Sequence, residues 1–267
     1  MGYGDEIIGT GLAKGLARQH LKAAFGDGKK ILWGPWCEEM FANNPNIARP
    51  GGEQSNHLRW IPHYKGSRMY NKQSADRQRW VWNYDFKVSP GEFFFSDAER
   101  SLIKYSRSTL GDFIVIEPNV PWQKPVAANK DWGDKYFHLT ERLQKHGAQI
   151  VQFIHKNSVR RLRGVTSLQM TNFREVIATL SLAKLYIGPE GGMHHAAAAV
   201  GIPAVVLMGG FIPPQVVGYD SHINLTGGAE ACGSIQPCAH CEKAMQRIDV
   251  DEVTRHAITL FSLMRVI

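Results

Sequence analysis

Long apolar runs are missing from this 267-residue chain, and no segment approaches the roughly 18 apolar residues of a membrane-spanning helix. The opening stretch, MGYGDEIIGTGLAKGL, lacks the basic start, apolar centre and small-residue cleavage site of a secretory signal. Glu6 also stands where a myristoylation pattern wants Ser or Thr. A cytoplasmic protein is therefore expected. Internal repeats and low-complexity tracts are absent too, and 43% of residues are hydrophobic, which supplies a sizeable core and excludes a disordered chain. Cysteine is scarce: Cys37, Cys232, Cys238 and Cys241, the last three spaced C-x5-C-x2-C with His240 between the final pair. A zinc site needs a fourth ligand and usually shows tighter pairing. The spacing is read as reduced thiols in a packed loop, with no metal ligand assigned.

What is present is an uneven positive charge, +7 overall. Residues 57–87 hold seven Lys/Arg against two Asp, together with seven aromatic side chains. Basic groups favour an anionic partner, and aromatic faces stack on sugars or bases. A solvated basic surface over an aromatic core explains the same composition equally well.

Helical spacing of Ile7, Ile8, Leu12, Leu16 and Leu21 predicts a helix over 6–25, broken by GDGKK. KKILWG reads as a short strand, CEEMFANNP as a helix, 50–75 as loop-rich, and Ser96 as the cap of another helix. From residue 112 the pattern becomes regular. DFIVIEPN, AQIVQFIH, KLYIG and PAVVLMGG read as strands. They alternate with helices at DKYFHLTERLQKHG, 172–183 and after GG at 191–192, and a last helix spans 250–265. Such alternation means a parallel sheet covered on both faces. The chain divides into a smaller segment, 1–108, and a regular α/β segment, 109–267.

The most informative stretch is 187–210, IGPEGGMHHAAAAVGIPAVVLMGG. A strand delivers Pro189-Glu190-Gly191-Gly192 to the carboxyl edge of the sheet, where ligands of such folds bind, and a helix begins near Met193. Its first N–H groups have no intrahelical partner and carry positive dipole character, so glycines there admit an anion such as a phosphate. Glu190 would repel that anion and suits ribose hydroxyls or a base better, whereas His195 can donate to a phosphate oxygen. His194 and His195 project about 100° apart, so both cannot face one ligand. Thr171 reads as an N-cap. Arg160, Arg161 and Arg163 read as solvated surface.

These residues resemble the donor-binding signature of glycosyltransferase family 9, the family of the lipopolysaccharide heptosyltransferases. Glu190 stands at the family's Asp, Gly191 at its hydroxyl residue, and Gly192 and His195 match. VIEPNVPWQKPVAANKDW resembles the family's strand, loop and Lys-x-Trp element, which puts Lys130 and Trp132 on matching positions. CEKAMQRIDVDEV resembles its C-terminal tail, and MGYGDEIIGTGLAKGLA its opening Gly-x-Gly-Asp loop and first helix. The resemblance is specific over about 112–260 and is not traceable across the basic aromatic segment.

The resemblance implies a GT-B-like α/β fold: two Rossmann-type parallel-sheet domains facing a cleft, the small N-terminal one (1–108) lacking its first strand and binding acceptor. The second domain, 109–267, would bind a nucleotide-diphosphate sugar through Lys130, Glu190, Gly191, Gly192, Met193 and His195. It further implies inverting transfer to an acceptor hydroxyl, with Asp5 as general base and Lys130 and His195 stabilising the leaving diphosphate. No cofactor and no metal are expected beyond the sugar donor. An Asp5 hung from a chain terminus is expected to be loosely held. The favoured role is bacterial surface-glycan synthesis on an anionic or lipid-linked saccharide, with peripheral contact at the inner membrane. A phage-type enzyme glycosylating nucleic acid, an inactive nucleotide-binding module and a nucleotide-sugar epimerase are the competing readings.

Overall fold

The protein is described by a computed structural model covering residues 2–266; Met1 and Ile267, the outer ends of the two expected segments, lie outside it. Among the described residues no strand precedes helix α1 (Tyr3–Ala17). Ile7, Ile8 and Ala13 bury its inner face. The expected continuation to residue 25 fails because His20 turns with φ +57°, and Lys22–Gly26 form strand β1, with Ala23, Ala24 and Phe25 fully buried. Helix α2 (Pro35–Met40) starts on its proline, which lacks the N–H that the first turn would leave unpaired. KKILWG contributes only an isolated bridge, Gly26 to Ile31.

Residues 50–75 are more ordered than expected. β2 (Leu58–Tyr64) runs parallel to β1, then β3 (Ser67–Arg68), β4 (Asn71–Gln73) and β5 (Trp80–Trp82) fold back antiparallel in the order β1-β2-β3-β4-β5. The N-terminal sheet is therefore mixed, not parallel throughout. Its β2–β3 reversal uses Gly66 at φ +83°, a conformation that side chains avoid. Helix α3 (Asp97–Leu110) opens on the expected cap, Ser96 and Glu99 exchanging hydrogen bonds with each other's backbone. The division expected after residue 108 falls in the last turn of this helix.

The remainder is a six-stranded parallel sheet: β6 (Phe113–Ile116), β7 (Gln149–Ile154), β8 (Thr166–Gln169), β9 (Leu185–Pro189), β10 (Ala204–Leu207) and β11 (His222–Leu225). Their spatial order, β11-β10-β9-β6-β7-β8, is that of a doubly wound fold, with the switch point between β6 and β9. A 3-10 turn (Pro125–Lys130) and α4 (Lys135–Lys145), α5 (Phe173–Leu180), α6 (Gly192–Ala199), α7 (Pro214–Val217), α8 (Ala239–Arg247) and α9 (Val250–Val266) connect and cover it. β8, β11 and α8 are elements that the sequence reading left unassigned. No helix of the described residues is long and apolar enough to cross a membrane.

One hydrophobic core runs from Ile7, Phe25 and Met40 beside the mixed sheet to Val206, Met208 and Val217 beside the parallel one. A second, with Trp132, Tyr136, Leu139 and Val253, fills the opposite face of the parallel sheet. Arg174 of α5 donates to Phe94 O (2.8 Å), Glu39 O (3.2 Å) and the Glu99 carboxylate, tying α5 to α2 and α3. Close packing under α1 is specific. A Cβ on Gly91 would lie 2.4 Å from Thr10 Oγ1 and 2.9 Å from Ile7 O, whereas one on Gly15 meets nothing within 4 Å. Gly91→Ala is expected to destabilise the fold by about 1–3 kcal/mol. Gly15→Ala, in the exposed helix interior, should stabilise it by about 0.5–1 kcal/mol. Urea unfolding of the two variants measures these opposite signs.

Candidate active site

The carboxyl ends of β6 and β9 flank the switch point, and β9 hands the chain to Glu190 and then to α6. The first intrahelical bond of α6 is His195 N–H to Gly191 O at 3.2 Å, so the amides ahead of it open the helix. Met193 places its side chain in the core and offers the site only its backbone. Glu190 is 7% exposed, forms a short ion pair with Lys130 and lies 3.3 Å (Oε1) from His195 Nε2. Burial would raise this carboxyl, but the Lys130 ammonium and the hydrogen bond from His195 outweigh it and hold it far below the usual carboxylate range. The other ring nitrogen of His195, Nδ1, is 2.9 Å from Tyr219 Oη. Thus Lys130, Glu190 and His195 are brought together, with Gly191 and Gly192 beside them.

Lys130 is held by its neighbours on both sides. Asn129, 1% exposed, donates to Ser234 O (3.0 Å) and Gln236 O (2.9 Å) and accepts from Cys238 N–H (3.0 Å). Asp131 pairs with Arg160 at 2.9 Å, and Trp132 Nε1 donates to Ile248 O at 3.0 Å. The Lys130 ammonium also sits 4.8 Å from the Phe211 ring centroid. Arg160 is accordingly a structural cation rather than solvated surface, while Arg161 and Arg163 are exposed as expected. Asn172, not Thr171, caps α5, because its Oδ1 accepts from Glu175 N–H at 2.9 Å.

Asp5 lies in the first turn of α1 and is not loose. Its Oδ2 accepts from Gly2 N–H at 2.8 Å, its Oδ1 pairs with Arg68 Nε at 2.9 Å, and the Tyr70 hydroxyl donates a short hydrogen bond to the same oxygen. Burial, then the Asp5 charge, pushes the Tyr70 phenol well above its ordinary value, and Glu190 adds to the shift. The two glycine turns abut: a Cβ on Gly4 would lie 3.1 Å from His195 Cδ2 and 3.5 Å from Gly192 N. Asp5 therefore begins its helix against the start of α6. Arg68, Tyr70, Tyr219 and Asn129 were missed from sequence, and only the basic aromatic character of 57–87 hinted at the first two.

His194 is fully buried against this cluster, with a ring nitrogen within 4.8 Å of both Glu190 and His195, and its ring also packs beside Tyr219 (5.1 Å between ring centroids) and His222 (5.2 Å). Neither of its ring nitrogens finds a hydrogen-bond partner. Burial, and then the charge of His195, holds it well below the usual histidine range. Glu117, at the end of β6, is pushed up to about 7 by burial despite hydrogen bonds from Asn119. The Asp-x-Asp triplet at 249–251, a pattern that can chelate metal–diphosphate, instead starts α9: Asp249 Oδ2 accepts from the N–H of Asp251 and Glu252.

Sequence and structure comparisons converge. The profile of glycosyltransferase family 9 (heptosyltransferase) matches residues 72–249. Among curated protein sequences none matches the chain. A family 9 glycosyltransferase from Veillonella parvula DSM 2008 superposes with TM-score 0.62 at 14% identity, over 98% of this chain and 95% of that one. The E. coli ADP-heptose lipopolysaccharide heptosyltransferase II gives 0.62 at 14% identity, over 99% and 97%. TibC, an iron-containing dodecameric glycosyltransferase from enterotoxigenic E. coli H10407, gives 0.56 at 11% identity, over 100% and 76%. At these identities the likeness is one of fold, and the fold is GT-B.

The buried histidines make stability depend on pH. Burial, with a smaller push from His195, lowers His222 to about 4. Between pH 6.5 and 4 the unfolded chain takes up protons that the native His194 and His222 refuse. Stability is fully present above pH 6.5 and falls as the pH drops, by about 3 kcal/mol from His222 alone. Urea unfolding across this window should show the fall, and His194→Phe should make it shallower.

Proposed function

The chain belongs to glycosyltransferase family 9 (heptosyltransferase), and on that premise we propose that it moves a sugar from a nucleotide-diphosphate sugar to an acceptor hydroxyl with inversion at the anomeric carbon. The observation that carries this reading is the contact between the starts of α1 and α6, which puts Asp5 and the Lys130–Glu190–His195 group at one junction. Residues 1–108 supply the acceptor side and 109–267 the donor side. The acceptor oxygen gives its proton to an Asp5 carboxylate oxygen and forms the new bond to the anomeric carbon. The bond from that carbon to the diphosphate breaks, and the negative charge passes to the departing oxygen. Lys130, the free amides of α6 at Gly192 and Met193, and His195 meet that charge with fixed positive ends. Glu190 steers the Lys130 ammonium, so donor binding shares a cation already in place instead of recruiting one from solvent.

The chemistry routes no step through a metal bridging the diphosphate; turnover should be unchanged by added Mg²⁺. The donor class follows the neighbours, among them a heptosyltransferase named for ADP-heptose. The acceptor is an anionic or lipid-linked saccharide of a bacterial surface glycan. It is met at the cytoplasmic membrane face by the basic strands β2–β5, where Tyr64 is 42% exposed.

Asp5→Asn should lower kcat by about 10²–10⁴-fold while leaving donor binding near wild type. Lys130→Met should weaken both donor binding and turnover, because it removes charge from the ground and transition states alike. Proton NMR of the product is expected to show the inverted anomer. A full-rate Asp5→Asn enzyme, or a product of retained configuration, overturns the assignment.

A further inference from the structure

Three cysteines that the transfer chemistry leaves unused meet in the fold. Cys232 Sγ lies 3.3 Å from Cys241 Sγ and 3.7 Å from Cys238 Sγ, and all three sulfurs fall within 4.8 Å of one another. They are unbonded thiols, since a disulfide would bring two of them to about 2.05 Å. Three thiolates at tetrahedral corners, each about 2.3 Å from a zinc ion, stand about 3.8 Å apart. The observed separations are close to that edge. Spacing along the chain argued for packed thiols without metal, but spacing does not show convergence.

Polar backbone groups and a helix end face two of the three sulfurs. Ser234 N–H points at Cys232 Sγ (3.4 Å). Cys238 is the N-cap of the nine-residue helix α8, whose dipole stabilises negative charge there. Cys241 is fully buried. His240 is turned away, its Nε2 2.8 Å from Glu230 O, and no fourth His, Cys, Asp or Glu joins the cluster among the described residues.

We propose that Cys232, Cys238 and Cys241 bind one thiophilic transition-metal ion, zinc or iron, through three thiolates, with the fourth position left to water or an exogenous ligand. Loading forms three metal–sulfur bonds and releases the thiol protons to solvent, with no change of oxidation state. The role is structural. The same loop pairs with β5, through Trp80 N–H to Gly233 O (2.8 Å), and anchors Asn129 through Ser234 O, Gln236 O and Cys238 N–H. A metal there would fix the turn that presents Lys130.

The test is metal analysis of the purified full chain by inductively coupled plasma mass spectrometry, without donor or acceptor, so the outcome is independent of transferase activity. About one zinc or iron per chain is expected, lost in Cys238→Ser and Cys241→Ser and kept in Cys37→Ser. Should the serine variants fail to fold, wild-type protein stripped of metal is titrated with Co²⁺. Thiolate-to-cobalt charge-transfer absorption saturating at one equivalent supports the site. Metal-free protein with no such absorption, metal retained in both serine variants, or a Cys232–Cys241 disulfide found by mass spectrometry overturns it.

Discussion

Two helices begin at the same place, and the site exists because their first turns touch. α1 and α6 lie side by side with their first turns in contact, where a Cβ on Gly4 or Gly192 would come within 3.1 Å or 3.3 Å of its neighbours, tighter than ordinary packing. Two positive dipole ends set side by side repel. Each end is answered by a carboxylate, Asp5 on one side and Glu190 on the other, and each carboxylate by a cation from a distant segment, Arg68 and Lys130. Charges of alternating sign are thus stitched across the junction. Removing any one of them would strand a poorly solvated partner, which is costlier than losing an exposed ion pair.

This alternation explains why the surrounding side chains are neutral or fixed. His194 and His222 line the back of the junction uncharged. Tyr70 and Tyr219 remain protonated phenols under the same burial and negative charge. Lys130 is set by the rigid 3-10 turn, not by a flexible loop, with Asn129 and Asp131 each committed to a separate part of the fold. In the proposed reaction such a frame would stabilise the leaving group with little reorganisation, which is where most of the catalytic value of fixed charges lies.

Much of this was legible in the sequence where the signal is local. Ser96 announces a capped helix, the apolar runs of β6, β7, β9 and β10 announce a parallel sheet, and Glu190-Gly191-Gly192 announces a glycine turn that opens a helix. The partners of those residues were not legible. Tyr70 reaches Asp5 from 65 positions away, and Asn129 meets Ser234 across 105, pairings that no window of the chain contains. β8 and β11 are four residues each, too short to show alternation, and β2 hides its strand character behind Pro62 and basic residues. The expected helix through residue 25 failed for a related reason: Ala23, Ala24 and Phe25 are apolar in succession, which suits a strand covered on both faces as well as a helix.

The pairing of Gly233 with Trp80 has a bearing on how such an enzyme can diverge. That loop is fastened on one flank to the edge of the basic hairpin and on the other to the residue preceding Lys130. Under the proposed division of roles, lengthening or recolouring the hairpin to admit a new acceptor would pull on the donor side through this shared seam. The hairpin and the turn that holds Lys130 are then features that evolve in tandem, and grafting the hairpin alone onto a relative would transplant only half of a mechanical unit.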